Sequence, residues 1–335
     1  METLARVAHL EGAGRLIFRE EKLPPPGPKQ IMCQTLVSVI SPGTEIAAWK
    51  GLPPLRPGPV YPRLVGYCNV AEVIACGAAV TQVSPGNRIL SYASHRTHFL
   101  LNEENVPLVL DDDIDAATAA PTYLFHLGYN AILRAGVRPG ARVLVIGLGA
   151  LGLTSVAMAN IAGADVQAIS DHSGPAVIAA DYGAAAISGR SELAAVRDGW
   201  KGAGADVVVA TTGSWSDWRL ALEAAAPMGR IAVLGFPGRG EAPPSFNPLD
   251  SQYFYDKQLR IEAVGFSPEH RDARGFLRFN ERDNLRYLAG LIGSGRLRPE
   301  KLVSARYDGL RLADAYADLA ARVGSPVTFA LDWRA

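Results

Sequence analysis

The stretch Val143-Leu144-Val145-Ile146-Gly147-Leu148-Gly149-Ala150-Leu151-Gly152 restricts the possible folds of this chain more than any other. An apolar, partly β-branched run of that length reads as a strand buried on both faces, and it passes straight into a glycine turn and an alanine-rich helix. Each glycine has its own task there. Gly147 permits the tight bend, Gly149 lets backbone approach a pyrophosphate, and Gly152 lets the helix lie close to the strand, while the free N–H groups opening the helix face the anion. Gly147, Leu148, Gly149, Ala150, Leu151 and Gly152 are therefore the expected dinucleotide cradle. Residues 143–164 carry no charge over about 22 positions, enough to span a bilayer on length alone. Gly147, Gly149, Gly152, Asn160 and Gly163 interrupt that run, so it reads as a buried strand, turn and helix instead.

Downstream, short apolar strands (142–146, 165–170, 185–188, 206–210, 231–234, 260–263) alternate with helical segments (150–162, 176–182, 216–226), the order of a doubly wound parallel sheet. Upstream of about residue 115 the texture differs. Strands at 16–18, 30–39, 64–76, 88–92 and 98–101 are broken by turns rich in Pro and Gly, and the proline-rich segment 52–59 reads as a surface lip or a plain connector. After Phe266, helices at 283–294 and 311–322 lead to a strand at 326–331 that reads as returning to the first domain. A chain of 335 residues favours two domains. The expected divisions are 1–121, 122–264 and 265–335, the outer two forming one domain.

Lys plus Arg equals Asp plus Glu at 33 each, so no net field exists to hold a nucleic acid or an acidic membrane surface. Apolar residues at 48% against 20% charged describe a chain that buries a core. Cys33, Cys68 and Cys76 show no paired spacing, which argues against a disulfide framework and a zinc cluster and suits a reducing cytosol. The first six residues contain Glu2 and no apolar signal core, and a cytoplasmic location is expected.

In a doubly wound sheet, ligands meet the carboxyl ends of the strands. Ser170, Asp171 and His172 close the second strand, where a carboxylate would bond ribose hydroxyls and repel a 2′-phosphate. Ser170 tolerates a phosphate and Asp171 does not, and no Lys or Arg follows until Arg190, so NAD and NADP both stay open. Thr211, Thr212 and Gly213 end the fourth strand, and Gly235 and Phe236 end the fifth; backbone contacts to a nicotinamide are expected at both.

Together with 136–145 ahead of the loop, 39–45, 84–89 and 229–235, these residues resemble the medium-chain dehydrogenase/reductase superfamily along the whole chain. The resemblance implies an α/β protein: a GroES-like β-barrel catalytic domain made of both chain ends, plus a Rossmann doubly wound parallel sheet between them. It also implies NAD or NADP as cofactor, homodimers or homotetramers, a small-molecule substrate, and Gly265 and Phe266 near the carboxamide. Zinc-dependent members hold their metal with residues at three places where this chain departs. The first cysteine position falls at Ser41, the Gly-His-Glu segment reads Gly66-Tyr67-Cys68, and the last ligand position falls near Tyr123. The cysteine-rich lobe of a structural zinc is missing as well. The expectation is a zinc-independent branch with no metal, and His95, His98 and His126 are not expected to rebuild a site.

Hydride transfer to a carbonyl still needs a proton at the oxygen. Tyr67, Tyr123 and His126 are candidates to hold it, with an aromatic pocket wall as the alternative for the tyrosines. Ser41, Thr44 and Glu45 occupy the segment that borders nicotinamide ribose and substrate in the superfamily, though Thr44-Glu45 equally suits a helix cap, and His95 is a further candidate. The segments Ser41-Pro42-Gly43-Thr44-Glu45 and Leu331-Asp332-Trp333-Arg334-Ala335 are similar to those of a zinc-less branch that dehydrogenates a bacteriochlorophyllide hydroxyethyl group, without fixing a tetrapyrrole as substrate. The expected activity is hydride exchange between a nicotinamide and an alcohol or ketone of a small or ring-type substrate. Enoyl or quinone reduction, and nucleotide binding without turnover, are the alternatives.

Overall fold

In the computed structural model, which describes residues 2–53, 60–267 and 274–334, the chain divides into two units, 1–123 with 268–335 and 124–267. Both divisions lie two to three residues beyond those expected, at 121 and 264, and the first cuts through a helix rather than preceding it. Most of the proline-rich lip, 54–59, lies outside the described residues.

The first unit opens with β1 (Thr3–Gly12), β2 (Arg15–Leu23), β3 (Gln30–Val39), α1 (Pro42–Trp49), β4 (Arg63–Leu64), β5 (Cys68–Cys76), β6 (Arg88–Ser91), β7 (His98–Asn102), β8 (Leu108–Val109) and α2 (Ala116–Ala119); α3 (Thr122–Arg134) begins at its edge. The order β2-β1-β4 makes a small antiparallel sheet. β1 is absent from the sequence reading because its buried residues, Ala5, Val7, Ala8 and Leu10, do not alternate strictly. The single strand expected over 64–76 is split. Gly66 adopts φ +93, a left-handed bend that a side chain resists, and a Cβ there would lie 2.7 Å from the His95 ring. The close approach of backbone to that ring ends β4 and turns Tyr67 out ahead of β5.

The second unit contains β9 (Arg142–Ile146), α4 (Ala150–Ile161), β10 (Asp165–Ile169), α5 (Ser173–Asp181), β11 (Ala186–Ser188), α6 (Leu193–Gly199), β12 (Ala205–Ala210), α7 (Trp215–Ala224), β13 (Ala225–Val233) and β14 (Arg260–Ala263). All pairings are parallel in the order β11-β10-β9-β12-β13-β14, so the order reverses between β9 and β12. That reversal opens a crevice at the strand ends where dinucleotides bind in such sheets. Leu144, Ile146, Val208, Trp218 and Ile231 lie in its core, which accounts for the uncharged run over β9 and α4. Among the described residues no helix is long and apolar enough to cross a membrane.

The chain then completes the first unit with α8 (Glu281–Gly293), β15 (Val303–Asp308), α9 (Leu312–Ala321) and β16 (Thr328–Asp332). A seven-stranded sheet runs β15-β16-β3-β5-β6-β8, with β7 also on β3. β16 lies antiparallel to β3, Leu331 opposite Ser38, which brings Trp333 against Ser38 near the end of β3. Leu10, Ile40, Leu312, Tyr316, Leu331 and Trp333 share one core there.

Candidate active site

In the second unit, the glycine loop has the close approaches its sequence requires. Gly147 sits at φ +89, and its carbonyl and that of Ile146 both accept the Thr211 hydroxyl, at 3.0 and 2.8 Å. A Cβ on Gly152 would lie 1.8 Å from the Gly147 oxygen, so only glycine lets α4 start this close to β9. Gly149 is the exposed N-cap of α4, and a Cβ on it would meet nothing within 4 Å. Open space at a helix N-terminus, beside packed Leu148 and Ala150 and half-buried Leu151, fits a pyrophosphate. Across the reversal, Gly235 packs against Thr211 and Thr212, its Cβ position 2.5 Å from the Thr212 oxygen, and the Gly213 carbonyl accepts the Gly238 N–H at 2.7 Å. Phe236 and Phe266 are both exposed, and Gly265 borders open space.

At the end of β10, Ser170 is buried and its hydroxyl accepts the His172 N–H at 3.2 Å, while Asp171 and His172 are exposed. Asp171 is tied to Arg190, and through it to Asp217. The sequence reading missed that connection. The signal was present in the expected parallel order, since the ends of neighbouring strands lie side by side.

In the first unit, Ser41 is the N-cap of α1, yet its hydroxyl makes no capping bond. It is hydrogen-bonded to the Tyr67 phenol instead. The helix start is satisfied by Glu45, whose Oε1 accepts the Ser41 N–H at 2.6 Å, much as the acid of a capping box reaches back to its N-cap. Thr44-Glu45 is thus part of a helix start, and Glu45 does more than cap. It is 2% exposed, and its Oε2 also accepts from Tyr316 of α9 at 2.5 Å and from His95 Nε2 at 2.8 Å. The Trp333 indole N–H donates to Ser38 Oγ at 2.9 Å, and Ser38 Oγ is in turn hydrogen-bonded to His95 Nδ1 at 2.8 Å, so Trp333, Ser38, His95 and Glu45 form one chain of bonds. His95 is fully buried in this chain of bonds rather than turned to open space.

Tyr67 meets Tyr123 edge to face at 5.6 Å, and Tyr123 meets Tyr92 at 5.0 Å. Glu281, opening α8, accepts from Tyr92 and, at 3.4 Å, from Tyr123. Burial first, and then Cys68, raises the Tyr67 phenol above the usual tyrosine range; burial and Glu281 do the same for Tyr123. Both stay protonated at neutral pH and can donate. His126, three residues along α3 from Tyr123, is fully buried, and burial pushes its imidazole down to about 4. Of the six residues the sequence marks for catalysis, Tyr67 and Tyr123 keep exposed surface, whereas Ser41, Glu45, His95 and His126 are interior.

Residues 150–281 match the family described as zinc-binding dehydrogenase. An L-threonine 3-dehydrogenase of Symbiobacterium thermophilum is 29% identical over 71% of this chain and 77% of its own length. An NADP-dependent isopropanol dehydrogenase of Entamoeba histolytica is 24% identical over 89% and 87%. Among solved structures, a Sinorhizobium meliloti 1021 protein bound to NADP superposes with a TM-score of 0.80 at 20% identity, covering 98% of this chain and 99% of that one. The chain is an oxidoreductase similar to the alcohol-dehydrogenase-like proteins of the medium-chain dehydrogenase/reductase superfamily.

Zinc, which the family description implies, needs thiolate, imidazole or carboxylate donors in a tetrahedral set. At the positions that resemble the superfamily's ligands, Ser41, Tyr67 and Tyr123 offer neutral hydroxyls. Burial, and next Glu45, holds the Cys68 thiol well above its usual range and so protonated. Among the described residues no cluster of three His, Cys, Asp or Glu side chains could hold a metal. The donor set does not fit zinc.

Proposed function

We propose that this chain exchanges a hydride between a nicotinamide dinucleotide and the alcohol or ketone carbon of a small-molecule substrate without a zinc ion, with Tyr67 holding the proton at the reacting oxygen. The observation that carries this reading is the Tyr67 phenol, a protonated hydroxyl bonded to Ser41, the residue that stands where zinc-dependent members place a thiolate. Nicotinamide, when bound, supplies or accepts the hydride. The glycine loop holds the pyrophosphate through the N–H groups opening α4. Tyr67 donates a hydrogen bond to the carbonyl oxygen in the direction of reduction and gives up its proton as negative charge develops there. Ser41 accepts from or donates to the phenol as its proton moves, and Glu45, by holding the Ser41 N–H, keeps that hydroxyl in register. Relatives named for L-threonine and isopropanol support an alcohol as substrate.

The test is turnover of secondary alcohols with NAD or NADP by protein dialysed against a chelator and assayed for metal. Activity without stoichiometric zinc, and a fall in kcat of about 100-fold or more in Tyr67→Phe with dinucleotide affinity kept, is expected. Stoichiometric zinc whose removal abolishes turnover overturns the metal-free reading. Turnover of conjugated enones and of no alcohol reassigns the enzyme to enoyl or quinone reduction.

A further inference from the structure

We infer that Arg190, latched by the buried Asp217, makes this protein select the dinucleotide lacking a 2′-phosphate; the inference rests on the dinucleotide reading above. Strands β10 and β11 run in parallel register, Ile169 opposite Ser188, so the residues just beyond their ends are neighbours. The Ser170 N–H donates to the Ser188 carbonyl at 3.0 Å and seals the two ends together. Immediately beyond, Asp171 accepts twice from Arg190, its Oδ1 from the backbone N–H at 2.9 Å and its Oδ2 from Nη1 at 2.7 Å. These bonds, the backbone N–H foremost, hold the Asp171 carboxyl below the usual range.

The opposite edge of the same guanidinium is forked onto Asp217 in the first turn of α7, Nε to Oδ1 at 2.7 Å and Nη2 to Oδ2 at 3.0 Å. The two carboxylates differ sharply in exposure, with the Asp217 side chain at 4% and that of Asp171 at 52%. A bidentate pair with a buried carboxylate is costly to break, because the acid left behind has no water to replace its partner. Arg190 therefore cannot turn toward a 2′-phosphate without stranding Asp217.

A further carboxylate at the strand ends opposes a phosphate as well. Glu192 accepts the Gly189 N–H at 2.6 Å, so a third carboxylate lies beside the two that share the one guanidinium. A 2′-phosphate would add negative charge against Asp171, which Arg190 steadies but does not cover. A ribose diol is the complementary partner, since each Asp171 oxygen uses one lone pair on Arg190 and a carboxylate oxygen has a second to offer a hydroxyl.

Calorimetric titration of the intact protein with NAD+ and NADP+ at one fixed ionic strength separates the outcomes without reference to turnover. NAD+ is expected to bind at least about tenfold more tightly than NADP+. Asp171→Asn is expected to shrink that ratio by about tenfold, through weaker NAD+ and stronger NADP+ binding. Asp217→Asn, which unlatches the guanidinium, is expected to strengthen NADP+ binding about tenfold while leaving NAD+ within about threefold. Should burial of Asp217 prevent that variant from folding, the exposed Asp171→Asn decides alone. Tighter binding of NADP+ by the unmodified protein, or a ratio untouched by Asp171→Asn, overturns the inference and leaves the dinucleotide reading standing. No binding of either dinucleotide overturns that reading itself.

Discussion

Glu45 in the first unit and Asp171 in the second each gather donors from distant parts of the chain, under opposite conditions. Glu45 is 2% exposed and collects the Ser41 N–H, the Tyr316 phenol and the His95 imidazole, three donors brought by α1, α9 and the loop before β7. Asp171 is half exposed and collects one residue, Arg190, by backbone and side chain. In a dry interior every one of Glu45's donors depends on it, because none can turn to water instead. At the surface Asp171 can exchange a partner for solvent or for a ligand at little cost. The buried acid is therefore suited to fixing geometry, and the exposed one to discriminating what arrives.

Removal of each acid tests that contrast most directly. Glu45→Ala strips the acceptor from three interior donors and is expected to lower unfolding free energy by about 3–5 kcal/mol in urea titration. A loss below about 1 kcal/mol would erase the distinction between the two regions. Acidification is the next largest effect. His126, whose imidazole is held down to about 4 in the folded protein from an ordinary 6.5, stays neutral while the unfolded chain takes up a proton. Stability is thus full above pH 6.5 and falls as pH drops toward 4, by up to about 3 kcal/mol. His126→Gln should lack that share of the pH dependence when the two proteins are unfolded side by side; identical slopes would refute it. Tyr316→Phe deletes a single donor to Glu45 and should cost about 1–3 kcal/mol, measured in the same way. Asp171→Ala is expected to change stability least, by about 0–1 kcal/mol, because the pair it breaks is open to solvent and Asp217 still holds Arg190.

The two units differ as much in how readily they could be read. Gly147, Gly149 and Gly152 announce themselves because the constraint on each is local: a positive φ at Gly147, open space above Gly149, and a backbone oxygen where a Cβ on Gly152 would lie. The carboxyl-end positions Thr211 and Gly235 follow from strand order alone. The hydroxyl side chains at Ser41, Tyr67 and Tyr123 were legible too, from residue identity alone. No local pattern joins Glu45 to Tyr316 across 271 positions or Ser38 to Trp333 across 295, and neither bond could be foreseen. His95 and His126 show the same limit from the other side, as titratable residues whose type suggests catalysis and whose burial assigns them to the interior.

Sequence by itself determined the parallel-sheet unit, its glycine turn and the hydroxyl character of Ser41, Thr44 and Tyr67, because each depends on residue type and short-range spacing along one strand, turn or helix. Tertiary structure alone decided that Tyr67 turns away from β5 at Gly66, that Glu45 is an interior hub, and that Arg190 is shared by Asp171 and Asp217. Those outcomes depend on which side chains the sheets bring within about 3 Å of one another and on how much water remains beside them, and neither quantity is encoded in the neighbouring residues.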